Sequence, residues 1–122
     1  MRLFSILLSA TLALAILPTQ AAAGDLTGHW KFVRNNADTE RILKLKQQSN
    51  VLSGSVVMAK GEIAFDHGQV NGSLIEFAIV RGMANGGTVR TLFRATVNGD
   101  TMQGTTQTGS NSPIAFTATR LN

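Results

Sequence analysis

The chain contains no cysteine and no tyrosine, a single tryptophan and two prolines. Without cysteine there can be no disulfide framework, no thiol nucleophile, no thiolate metal site and no lipid-modified cysteine, so stability has to come from packing alone. Long hydrophobic runs are scarce as well. The one that exists, Ile6 to Leu17, follows Arg2 and precedes Ala21-Ala22-Ala23, the order of charged, apolar and cleavage regions in a secretory signal. It is short for a bilayer span, and no second run follows it as a stop-transfer segment. Residues 1–23 are therefore expected to be a cleaved signal peptide and residues 24–122 one domain, periplasmic or secreted, with no membrane span in the mature chain.

Charge of either sign is also sparse. The formal net charge is +4, and removal of Arg2 leaves ten basic against seven acidic side chains, a net of +3. That excess biases encounters toward anions. The basic residues are scattered and not interleaved with aromatics, so no nucleic-acid partner is expected. A chain of this length buries roughly two-thirds of its unfolded surface, enough for one core.

What the sequence does have is alternation. Apolar residues recur at every second position in Trp30/Phe32, Leu43/Leu45, Ile63/Phe65, Ile75/Phe77/Ile79 and Ile114/Phe116, the period of a half-buried strand. Between these runs lie turn signals: Asn35-Asn36, Ser49-Asn50, Asn71-Gly72, Asn85-Gly86-Gly87, Asn98-Gly99-Asp100 and Gly109 through Pro113. The Asn-Gly pairs predict type I′ hairpin turns, in which both residues take positive φ. The spacing gives eight strands, over 26–34, 40–48, 51–58, 62–70, 73–81, 88–97, 101–108 and 114–121, and no helix after the signal segment. A weak repeat, Leu26-x-Gly28-x-Trp30, Leu52-x-Gly54-x-Val56 and Met102-x-Gly104-x-Thr106, marks successive hairpins. The fold class is all-β: an eight-stranded antiparallel up-and-down barrel, closed so that no edge invites aggregation. The face opposite the aromatics carries Lys31, Glu40, Lys44, Ser55, Glu76, Arg94 and Gln103. Lipid would not tolerate such a face, so an outer-membrane barrel is excluded.

Gly28-x-Trp30 in the first strand together with Arg120 in the last resembles the signature of the calycin superfamily, which includes lipocalins, fatty-acid-binding proteins and avidins. The resemblance implies that Gly28, Trp30 and Arg120 form a structural plug, with the tryptophan stopping one end and the basic side chain lying across it. The Leu-Thr-Gly-x-Trp opening is most like avidins, but Trp30 stands alone here, and the tryptophans that line a biotin site are missing. The chain also lacks the helix and disulfides of larger lipocalins. It looks like a minimal lipocalin-like relative, and no ligand is carried over.

With rings turned inward, small residues (Gly54, Gly104, Ala95 and Ala118) flank Trp30 and leave room for its indole. Phe32, Phe65, Phe93 and Phe116 lie above it, and Arg34, Arg41, Met58, Arg81 and Met83 reach the far rim. An eight-stranded barrel is just wide enough to be filled by its own side chains or to hold one small ligand, and both readings stay open for the phenylalanines. The arginines likewise read either as solvated strand ends or as an anion-attracting rim. The candidate ligand-binding residues are Arg34, Arg41, Arg81, Phe32, Phe65, Phe93 and Phe116.

No catalytic residue is marked. Serines fall in turns or on the polar face with no G-x-S-x-G elbow, and Glu40, Glu62, Asp66 and Glu76 face outward in this register. Only a register slip of one residue would bring Glu62 or Glu76 inside. His29 and His67 are isolated, and Asp66-His67-Gly68 reads as a turn, so neither a metal nor a cofactor is expected. The leading expectation is a protein that binds a small apolar or amphiphilic anionic ligand at a mouth built by residues 34–39, 58–62, 81–88 and 108–113. The alternative is a protein-interaction module or inhibitor with a partner in the cell envelope. A cyclase-like enzyme is the third reading.

Overall fold

The computed structural model describes residues 24–37 and 39–121; the expected signal segment, residues 1–23, lies outside the described residues. Eight strands follow one another in chain order: β1 (Gly28–Arg34), β2 (Glu40–Gln48), β3 (Val51–Met58), β4 (Gly61–Asn71), β5 (Leu74–Gly82), β6 (Thr88–Asn98), β7 (Thr101–Thr108) and β8 (Ile114–Arg120). Each pairs antiparallel with the next, and β1 pairs with β8 from Trp30↔Arg120 to Arg34↔Phe116, closing the barrel. The predicted fold class and the strand count are what the structure shows, and the strand ends agree within one or two residues.

Alternation sorts the side chains as its period requires. Trp30, Phe32, Leu43, Leu45, Val56, Phe65, Ile75, Phe77, Ile79, Phe93 and Phe116 are buried in one cluster, while Glu40, Glu62, Asp66 and Glu76 are exposed. Five phenylalanines meet across the interior. Phe65 stacks on Phe77 at 4.1 Å between ring centroids and Phe77 on Phe93 at 4.6 Å, and Phe32, Phe93 and Phe116 meet edge to face at 5.8–5.9 Å. Ring pairs of this kind contribute about 0.5–1.5 kcal/mol each beyond their burial.

Two local expectations are corrected, and a third gains a further reason. The Asn-Gly hairpins are not type I′: Asn71 and Asn98 remain in the ladder, opposite Leu74 and Thr101, and positive φ falls on Gly72 (64°) and Gly99 (65°) alone. A glycine at the first of two loop residues is the II′ arrangement. Two of the small residues near Trp30 are also glycines for a further reason. A Cβ on Gly54 would collide with the Lys44 carbonyl oxygen of β2, and one on Gly104 with the Arg94 carbonyl oxygen of β6. These glycines are needed because neighbouring backbones approach closely, whether or not the indole needs space.

The second correction concerns Asp66-His67-Gly68, which is no turn. It lies inside β4, where Gly54 pairs with Phe65 but Leu52 with Gly68, so Asp66 and His67 together oppose Ser53. This is a β-bulge. His67 takes φ +60° and its N–H donates to its neighbour's carboxylate, Asp66 Oδ1, at 2.7 Å. Bulges bend a strand and interrupt its pairing. Past this one, β4 and β5 keep only three paired rows, Gln69↔Glu76 to Asn71↔Leu74, whereas β5 and β6 pair along the whole of Leu74–Gly82.

Candidate functional site

The closed end is built around Trp30. The segment leading into β1 crosses beneath the barrel, where Leu26 is fully buried and its carbonyl oxygen accepts the Trp30 Nε1–H at 3.1 Å. The Leu26 N–H donates to Gln47 Oε1 at 2.9 Å, and the Gln47 N–H donates to Thr27 Oγ1 at 3.0 Å, tying the segment to β2. Arg120 pairs with Trp30 across β1 and β8 and holds its guanidinium 4.5 Å from the indole centroid. It donates from Nε to Asp100 Oδ1 at 2.9 Å, from Nη1 to the Thr27 carbonyl at 3.2 Å and from Nη2 to the Asp25 carbonyl at 3.1 Å. A cation over an indole contributes about 0.5–2 kcal/mol, toward the upper value when water is kept off. The Asp25 carboxyl is held below its ordinary range, first by the Thr27 N–H, then by the Thr27 hydroxyl and the nearby Arg120.

At the open end the inward phase of the strands runs past the rings to cations. Arg34 continues Trp30 and Phe32 on β1, Arg41 precedes Leu43 on β2, and Arg81 follows Phe77 and Ile79 on β5. The three guanidinium-bearing side chains converge on a cavity of about 160 Å3. Its apolar part is made by Phe32, Val56, Met58, Ile79 and Phe93. Thr91 and Thr108 complete the wall, their hydroxyls 3.0 Å apart. Among the seven residues expected to contact ligand, Arg34, Arg41, Arg81, Phe32 and Phe93 line this cavity. Phe65 and Phe116 sit in the ring cluster and do not.

The acidic side chains of the described residues sit elsewhere. Glu40 lies 3.5 Å from Lys31, Glu62 2.7 Å from Lys44, Glu76 2.6 Å from Arg94 and Asp100 2.9 Å from Arg120. All four carboxylates are on the outer surface. Among the described residues none forms an ion pair with Arg34, Arg41 or Arg81, so these three cations meet no counter-charge from the described carboxylates. Glu62 also accepts the Ser55 hydroxyl at 2.8 Å, and the Lys44 and Ser55 hydrogen bonds hold its carboxyl below the ordinary range. Thr106, one step inward from Thr108 on β7, is 1% exposed, and its hydroxyl has no partner.

The threonines were legible only in part. Thr91 and Thr108 continue the inward phases of Phe93/Ala95 and Met102/Gly104, but threonine is equally at home on either face of a strand. Comparison of the chain with family models, with curated proteins and with solved structures returns no match. Fold and geometry therefore define the class by themselves: a small, closed, antiparallel barrel, compatible with a calycin-like fold, stopped by an indole at one end and lined by arginines at the other.

Proposed function

We propose that this barrel binds a small anionic ligand at its open end, with the anion held by Arg34, Arg41 and Arg81 and a short apolar portion resting on Phe32, Val56, Ile79 and Phe93. The observation that carries the reading is the convergence of three guanidiniums, unpaired among the described residues, on one cavity. Guanidiniums present forked donors that match a carboxylate, phosphate or sulfate, and the Thr91 and Thr108 hydroxyls add further polar contacts. Size limits the ligand. Sites for drug-sized molecules measure about 300–1,000 Å3, and this cavity, at about 160 Å3, stops at the ring cluster. A compact acid fits that space; a long acyl chain running down the barrel axis would have to displace stacked phenylalanines.

Export to the periplasm or the medium and kinship with calycins belong to the same proposal. The first rests on the signal-like residues 1–23, the second on Gly28, Trp30 and Arg120 in a closed eight-stranded meander. The test is titration of the purified protein with benzoate, hexanoate and inorganic phosphate, followed by calorimetry and by NMR of the arginine Nε–H groups. At least one of these anions should bind with affinity that falls as salt rises. Changing each arginine singly to glutamine should weaken binding by about tenfold or more, the scale of one lost charge-assisted hydrogen bond. Unchanged affinity in all three variants would overturn the proposal.

A further inference from the structure

The barrel's ladder is incomplete along one seam. Past the bulge at Asp66 and His67, β4 pairs with β3 alone over Gly61–Phe65, and β5 pairs with β6 alone over Phe77–Gly82. The longer stretch is about 20 Å of extended chain. Two sheet edges therefore flank a groove beside the mouth, of about 800 Å3, whose apolar lining includes Met58, Ile63 and Val80. Val80 is 54% exposed. Behind the seam the stacked Phe65 and Phe77 rings seal the interior. The charged lining is basic: Arg41, Lys60 and Arg81, against one carboxylate, Glu62, which Lys44 and Ser55 already engage.

We infer that this seam is a docking edge for an extended, acidic segment of another protein, which adds as a strand along β5. The inference does not rest on the anion reading. Unpaired edges present N–H and C=O groups that another polypeptide backbone can satisfy in register; an acyl chain would cover them without replacing the bonds to water. β5 suits the role because its far side is fixed to β6 along its full length, and Ile79 and Val80 favour extended backbone. The charge chooses among polypeptides. Lys60 and Arg81 favour carboxylate side chains, whereas a second copy of this chain would bring the same two cations to the same seam.

The test uses hydrogen exchange and NMR on the full chain with an acetylated Val-Glu-Val-Asp-Val-Glu peptide. The lysine-for-acid version of that peptide and its alternately N-methylated form, which cannot complete a ladder, serve as controls. With the acidic peptide at ten times its Kd, exchange of amides in Ala78–Gly82 should slow about tenfold, and neither control should reproduce this. Lys60 lines the groove but not the cavity between the three arginines, so Lys60→Glu should weaken the acidic peptide by about five- to tenfold, a larger loss than the same variant shows for benzoate or phosphate. Equal binding of the N-methylated peptide would overturn the proposal, as would protection at some other edge, or concentration-dependent protection of the seam in the protein alone, which would mean that a second copy occupies it.

Discussion

Arg120 at the closed end lies 4.5 Å from the Trp30 ring centroid and directs its donors to Asp100, Thr27 and Asp25, whereas Arg34, Arg41 and Arg81 at the open end have no ion-pair partner among the described residues. All four sit in the inward phase of their strands, β8, β1, β2 and β5 respectively. The difference lies in the supply of acceptors. At the closed end, residues 24–27 pass beneath the barrel and present backbone carbonyls, and the β6–β7 turn presents a carboxylate. At the open end the described carboxylates of Glu40 and Glu62 face outward and are engaged by Lys31 and Lys44. One residue type thus serves as a fastener where its bonds are complete and leaves donors without a described ion-pair partner where they are not.

The largest effect should come from Trp30→Ala, which removes the bulkiest buried side chain; truncations of this kind cost about 3–5 kcal/mol. That is a large share of the roughly 5–15 kcal/mol a domain has in total. Urea unfolding followed by far-ultraviolet circular dichroism measures it, and a loss below about 1 kcal/mol would mean that the closed end does not hold the barrel. Gly104→Ala comes next. Its new methyl would meet backbone, which cannot rotate away, so about 1–3 kcal/mol or more should be lost in the same assay. Arg120→Met should cost about 1–2 kcal/mol through the lost cation–ring contact and hydrogen bonds.

Replacing Arg34, Arg41 and Arg81 together by glutamine should change stability by no more than about 0.5 kcal/mol, with the sign toward stabilisation as like charges are removed, while anion binding disappears. A strongly destabilised triple variant would erase the contrast between the two ends. The smallest effect concerns pH. The Glu62 and Asp25 carboxyls are held below their ordinary values of 4.5 and 3.8 by hydrogen bonds that only the folded chain makes. Their contribution is present above those values and is lost as pH falls through the lowered folded values. Stability measured from pH 7 downward should therefore decline in acid, and Glu62→Gln should flatten part of that decline.

The strand order could be read from the chain because each hairpin is written locally, as alternation bounded by Asn and Gly. The meeting of Trp30 with Arg120 was implied by the calycin resemblance, and the even strand count agrees with it, since it brings the start of the first strand and the end of the last to one end of the barrel. The bulge could not be read that way. Asp66-His67-Gly68 has the composition of a turn, and only the long-range pairing of Leu52 with Gly68 and Gly54 with Phe65 reveals that the strand continues. The unpaired seam between β4 and β5 begins beside that bulge and was hidden with it. The arginine rim was visible as a phase, but whether carboxylates would neutralise it depended on three-dimensional neighbours that spacing alone does not specify. The same holds for the phenylalanines, whose stacking shortens the cavity from below.

Because tyrosine is absent and tryptophan occurs once, the near-ultraviolet emission of this protein comes from a single site, the indole beneath Arg120. Its spectrum should shift to the red when the floor of the barrel melts and stay nearly constant when an anion settles among the arginines at the opposite end. The molecule thus carries an optical gauge of its own integrity that is blind to occupancy, and a titration that leaves the fluorescence unmoved is compatible with a filled mouth.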